Sequence, residues 1–174
     1  MNVIEAIYAR RSIRKYEGRP VEKEKLLELC KLGAAGPSAT NKRPWSFIII
    51  DEKEALDKLR SSTMFGRFGA PAAIVVCADM RRTAPVGKGF WIQDCAAGME
   101  NILLGAVEMG LGAVWIGVAP IKPAMWFLSR VLSLPRLIKP LGIAYIGYPA
   151  EEKEARTQFE DSMLRWQKWS DISL

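Results

Sequence analysis

Pro71 to Ala78 is an unbroken apolar run with Ile74, Val75 and Val76 at its centre, and it constrains the fold more than any other stretch. A strand of this composition has no polar side to turn toward water, so it must be covered on both faces. A central strand is therefore implied, with helices packed over the sheet that holds it. Of the 174 residues, 49% are hydrophobic and 25% charged, enough apolar material for one ordinary globular domain with a full core.

The flanking segments supply that cover. Val3, Ile4, Ile7 and Tyr8 recur at helical spacing and predict a short helix over 2–9 with one buried face, ended by Gly18 and Pro20. Glu22 to Ala35 repeats the pattern, with Leu26, Leu27, Leu29 and Cys30 opposite a charged face. Trp45 to Ile50 is bulky and β-branched and reads as a strand, followed by a charged helix from about Glu52 to Arg60. Gly89 to Met109 predicts the long central helix, stopped by Gly110-Leu111-Gly112. Ala113 to Ile116 then reads as a short strand, Lys122 to Leu132 as a helix and Leu141 to Gly147 as the last strand. The tail from Ala150 carries Trp166 and Trp169, which are too large and apolar to hang free in water; a partner subunit or the chain's own domain must cover them. With no repeat or linker, residues 1–174 read as one α+β domain.

Composition also narrows the chemistry. The formal net charge of +6 attracts phosphate, yet no recognition-helix, zinc-knuckle or ribonucleoprotein motif accompanies it, and nucleic acid is not an expected partner. Histidine is absent, which removes the commonest general base and metal ligand. Cys30, Cys77 and Cys95 are far apart and form no C-x-x-C pair, so they read as reduced core thiols, with no metal or iron–sulfur site. No secretory leader is expected. The longest uncharged run, Met109 to Ile121, is 13 residues, short of the roughly 20 that span a bilayer. A cytoplasmic protein is the expectation.

Arg10-Arg11-Ser12-Ile13-Arg14-Lys15-Tyr16 concentrates cations at the end of the first predicted helix. Guanidinium forks match phosphate oxygens two at a time, and Ser12 adds a neutral donor between them. Taken alone, the segment reads first as a solvated basic helix end, and the other segments change that reading. A second polar segment, Ala34 to Trp45, holds Gly36, Pro37, Ser38, Asn41 and Pro44, all turn-forming residues.

Four segments in order resemble one family: Arg10-Arg11-Ser12-Ile13-Arg14; Pro37-Ser38-Ala39-Thr40-Asn41 with Pro44-Trp45; the Gln93 to Gly112 helix ending Gly-Leu-Gly; and Ile146-Gly147-Tyr148-Pro149 with Arg156. On these the chain is identified as a member of the nitroreductase family of flavin enzymes. The resemblance implies a three-layer α/β/α fold with a central mixed sheet, two FMN molecules at the interface of a homodimer, and a C-terminal tail, about 150–174, exchanged onto the partner subunit. By position it implies that Arg10, Arg11, Ser12 and a late Arg156 hold the FMN phosphate, with Lys153 as a further basic residue nearby. Arg14 is implied near the pyrimidine side of the isoalloxazine, or on the phosphate as well. Pro37, Ser38, Ala39 and Asn41 are implied at the ring edge, reaching in from the other subunit, and the backbone at Gly117 and Val118 at flavin N5. The family often has serine where Ala39 stands and glutamine where Arg43 stands. The asparagine and lysine that longer relatives carry before the buried strand are missing here, where Arg67 is the candidate substitute.

The implied activity is a ping-pong oxidoreductase: NAD(P)H delivers hydride to flavin N5, and an oxidised organic acceptor such as a nitroaromatic or quinone takes the electrons. No catalytic acid or base is required of the protein, which suits a chain without histidine. Trp91, Trp126 and Phe127 are the large apolar residues expected to shape the pocket, or else to pack in the core. The alternative function is flavin storage or sensing without turnover, or a non-reductive use of the flavin.

Overall fold

The computed structural model describes residues 1–61, 68–83 and 85–169. Four strands, β1 (Trp45–Ile50), β2 (Ala72–Asp79), β3 (Gly112–Gly117) and β4 (Ile138–Gly147), form one sheet in the order β1-β2-β4-β3. Every residue of β2 is buried, as its unbroken apolar run requires. The alternation of its side chains builds two cores. Ala72, Ile74, Val76 and Ala78 pack with Leu26 and Leu29 of helix α2 (Lys23–Ala34) and with Met99, Ile102 and Ala106 of helix α4 (Trp91–Glu108). Ala73, Val75 and Cys77 point the other way, onto Leu56 and Leu59 of helix α3 (Lys53–Ser61) and Leu128 of helix α5 (Lys122–Val131). The result is helix, sheet and helix in three layers.

Each neighbouring strand pair is antiparallel, where a mixed sheet was expected. The parallel element among the described residues is a single bridge, Ser12 with Ala113. Strand β4 begins three residues before the expected Leu141, and Pro140 hides that start in the sequence. The register slips between Val76 and Cys77, so that Cys77 faces Pro140 and Leu141 bulges, and bulges are among the places where a sheet tolerates proline.

The N-terminus departs most from the sequence reading. Helix α1 (Val3–Ala9) opens with a capping box between Asn2 and Glu5 but ends at Ala9, well before Gly18. Its apolar residues are not buried: Val3 is 73% exposed, Ile4 66%, Ile7 51% and Tyr8 48%, and only Ala6 packs inward. Periodicity reports an apolar stripe, not what covers it. From Arg10 the chain is extended, because β3 is an edge strand whose Ala113 carbonyl accepts the Ile13 N–H at 3.0 Å. Gly112 permits this approach, since a Cβ there would lie 2.6 Å from Ile13 Cγ2. Tyr16 closes the segment through an antiparallel bridge to Pro149.

Among the described residues no helix is long and apolar enough to cross a membrane, and no cluster of His, Cys, Asp or Glu is arranged to hold a metal ion.

Candidate anion-binding site

The extended basic segment meets the start of the tail through backbone contacts. Ala150 donates its N–H to the Lys15 carbonyl (3.0 Å), and the Arg156 N–H reaches the Tyr8 carbonyl (3.3 Å). Glu151 Oε1 accepts from the Arg14 N–H at 2.6 Å and the Lys15 N–H at 3.2 Å. The Arg14 N–H first, then Lys15 and Lys153, outweigh partial burial and hold the Glu151 carboxyl below the usual carboxylate range. Lys153 Nζ donates to the Ser12 carbonyl at 2.6 Å, and Arg11 Nη1 to the Glu154 carbonyl at 2.5 Å.

These contacts gather five cations around one cavity of about 180 Å³, lined by Arg10, Arg11, Ser12, Arg14, Lys153 and Arg156, with Ile7 and Gln158 at its edges. No carboxylate lines it. Glu100 of α4 stands beside it, 3.1 Å from Arg10 Nε. Burial raises the Glu100 carboxyl above its ordinary range, and Arg10 opposes that rise. Lys153 Nζ is also 3.3 Å from Glu151 Oε1, so two carboxylates flank five cations, and the guanidinium forks, ammonium and hydroxyl still form a net cationic donor set for a doubly charged oxyanion.

Pro37 to Arg43 forms a second, separate feature; none of these residues lines the cavity. A tight 3-10 turn at Ala39–Asn41 carries Thr40, Asn41 and, just after it, Arg43 at φ of 50°, 55° and 48°. Three non-glycine residues in the left-handed region cost on the order of 1–3 kcal/mol each, less for asparagine, and persist only where surroundings impose them. The loop's polar side chains close it on itself. Ser38 Oγ accepts the Arg43 N–H (2.9 Å), and Asn41 Oδ1 accepts from Arg43 Nε (3.0 Å). Arg82 Nη1 donates to the Arg43 carbonyl at 3.1 Å.

The sequence reading missed the residue beneath this loop. Asp94, in the first turn of α4, is 5% exposed, and its Oδ1 accepts the Ala39 N–H at 2.8 Å. Its Oδ2 is buried and meets no hydrogen-bond donor among the described residues. An acid in a first helical turn is favoured by the macrodipole, and nothing in the sequence ties this one to a loop 55 residues earlier.

At the end of β3, Val118 donates its N–H to the Leu141 carbonyl at 3.0 Å. Antiparallel pairing alternates, so the Gly117 N–H is turned away from β4, on the same outer edge where Ala113 meets Ile13. Gly117 is exposed, and a Cβ there would meet nothing within 4 Å. Of the aromatic candidates, Trp91 is half-buried against the α2/α4 core, while Trp126 and Phe127 are 56% and 54% exposed on α5 in an edge-to-face pair. Arg67 lies outside the described residues. Burial pushes the Cys30 thiol up to about 11 and those of Cys77 and Cys95 to about 12, so none is a nucleophile at neutral pH.

Residues 7–66 and 61–148 match the sequence signature of the nitroreductase family. The chain belongs to the nitroreductase family. A Methanothermobacter thermautotrophicus protein, provisionally named an NADH dehydrogenase/NAD(P)H nitroreductase, is 40% identical over 171 residues, covering 97% of this chain and 88% of that protein. The FMN-dependent nitroreductase of Clostridium difficile R20291 superposes with a TM-score of 0.87 at 33% identity, over 96% of this chain and 100% of that one. A provisionally named nitroreductase from Desulfovibrio desulfuricans, solved in complex with FMN, gives 0.82 at 28% identity, over 98% and 99% of the two chains.

Within this nitroreductase-family chain, five residues singled out from sequence, Arg10, Arg11, Ser12, Arg14 and Arg156, share one cavity. Pro37, Ser38, Ala39 and Asn41 are grouped in the strained loop apart from it, and Gly117 is at the sheet edge. Gln158 joins the cavity with no signal in the sequence to mark it.

Proposed function

We propose that the chain is an FMN-dependent oxidoreductase that takes electrons from NAD(P)H and delivers them to an oxidised organic acceptor, such as a nitroaromatic or a quinone. The observation that carries this is the convergence of five cations and Ser12 on one cavity free of carboxylates. The lining fits a phosphate monoester, because a dianion needs several fixed donors and here the five cations outnumber the flanking Glu100 and Glu151. Arg10, Arg11, Ser12 and Arg156 hold the FMN phosphate in this reading, with Lys153 beside them. Arg14 lines the same cavity, which supports its phosphate role, and its role at the pyrimidine side stays part of the proposal.

Bound flavin supplies the redox chemistry by accepting hydride at N5 and passing on the electrons. Pro37, Ser38, Ala39 and Asn41 fix the ring edge. The Gly117 N–H, directed off the ladder, is the donor at N5; Val118, whose N–H is held by Leu141, supports the turn. No side chain of the protein has to move a proton.

We place the protein in the cytoplasm as a homodimer, one domain over 1–174 whose tail from about 150 wraps the partner. The free thiols suit a reducing compartment. The exposed stripe of α1 and a tail with Phe159 58%, Met163 60%, Trp166 71% and Trp169 84% exposed support the dimer. Burying each such side chain contributes about 1.5–3 kcal/mol. The test is anaerobic addition of NADH or NADPH to the purified yellow protein, followed by a nitroaromatic or a quinone. Bleaching and then return of colour is expected. A flavin that binds but is not bleached by either nucleotide overturns the oxidoreductase reading in favour of storage or sensing.

A further inference from the structure

We infer that Asp94 is a positioning residue: its buried carboxylate holds the Ser38–Arg43 loop in the left-handed conformation that presents the loop to the flavin. The inference rests on the flavin reading above for what the loop contacts, and on geometry alone for how the loop is held. Thr40, Asn41 and Arg43 all sit at positive φ, a backbone that relaxes unless something outside the loop opposes it. The loop's own bonds, Arg43 N–H to Ser38 Oγ and Arg43 Nε to Asn41 Oδ1, move with it and do not tie it to the body. Among the described residues, two hydrogen bonds reach the loop from outside. Arg82 reaches the Arg43 carbonyl from an exposed side chain, whereas the Ala39 N–H runs 2.8 Å to a carboxylate 5% exposed on the central helix. Asp94 is thus the rigid anchor.

Asp94 stands in the first turn of α4, where the helix macrodipole favours an acid, so the anchor is built into the start of the central helix. Asp94 acts through Ala39 and touches no reacting atom.

The experiment compares the wild-type chain with Asp94→Ala, Asp94→Asn and Ala39→Pro. Ala39→Pro removes the same hydrogen bond from the donor side while Asp94 stays, and the extended Ser38 before it (φ −143°, ψ 149°) accepts a following proline. Two readouts are taken: the FMN dissociation constant by fluorescence titration, and the rate of tryptic cleavage after Lys42 in the flavin-free protein. Asp94→Ala and Ala39→Pro should each weaken FMN binding and accelerate cleavage by about tenfold, the loss of one hydrogen bond to a charged acceptor. Asp94→Asn, which keeps an acceptor oxygen, should restore both to within about threefold of wild type. Unchanged cleavage and affinity in Ala39→Pro overturn the inference, even if Asp94→Ala fails to fold. Faster cleavage with unchanged FMN affinity overturns the role toward flavin. A wild-type chain that binds no FMN refutes the flavin reading instead, and the cleavage rates still decide the anchor.

Discussion

Replacing Arg10 by alanine tests the anion cavity most directly. Arg10 keeps its Nε on Glu100 at 3.1 Å, and 33% of its side chain is exposed. Deleting the guanidinium removes one of the five cations that line the cavity. A hydrogen bond from a charged donor contributes about 1.5–3 kcal/mol, or one to two decades in a dissociation constant. Partial exposure moves the effect toward the lower figure through solvent screening. The unpaired Glu100 works in the opposite direction, since burial already raises its carboxyl and Arg10 is the group that opposes it. Arg10→Ala should therefore raise the FMN dissociation constant about ten- to thirtyfold. Lys15 provides the control. Its side chain is exposed, and the segment is anchored by the Lys15 backbone N–H on Glu151, which Lys15→Ala leaves in place. That variant should change affinity by less than about twofold. The assay is quenching of FMN fluorescence by the flavin-free protein, at two ionic strengths, with circular dichroism to confirm folding. Equal losses in the two variants would show that the basic segment acts only as diffuse charge, and would refute the site.

Three further outcomes follow from the geometry. The Glu151 carboxyl is held below its unfolded value of about 4.3, so its stabilisation is complete above that pH and fades as the pH falls through the lowered value; hydrogen-exchange protection of the Arg14 and Lys15 amides should drop on acidification, and at neutral pH in Glu151→Gln. Gly112→Ala puts a Cβ 2.6 Å from Ile13 Cγ2, so it should lower stability by about 1–3 kcal/mol in denaturant melts and weaken FMN binding with it; an unchanged melt would show that Ile13 moves aside freely. Ending the chain after Glu160 should remove Trp166 and Trp169 and with them both the dimer and the flavin, as read by sedimentation and visible absorbance; a stable yellow monomer would sink the shared-site idea.

Much of the fold was legible because it depends on local pattern. The run around Ile74 to Val76 identified β2, and Gly110-Leu111-Gly112 marked the end of α4, where Gly110 takes φ 70° and Leu111 donates to the Ala106 carbonyl. What failed depends on distant partners. Arginine and lysine are good helix formers, so the Arg10 to Tyr16 stretch looked like a helix end until the Ala113 carbonyl drew it into an extended bridge. The amphipathic spacing of α1 was correct, but its exposed face shows that spacing does not reveal a covering surface. At the site, residues adjacent in sequence were readable as a cluster. Asp94 was not, because its role is one hydrogen bond to a backbone N–H, which carries no residue signature.

The pairing of Ser12 and Ile13 with Ala113 has a consequence for self-association. Strand β3 is the last in its sheet, and an open outer edge is a template for another chain. Here a short extended segment occupies part of that edge, flanked by Arg10, Arg11, Arg14 and Lys15. A second sheet edge approaching this one would find the Ala113 carbonyl already taken and meet a row of like charge. The cations that gather the anion thus also guard this end of the sheet against edge-to-edge aggregation.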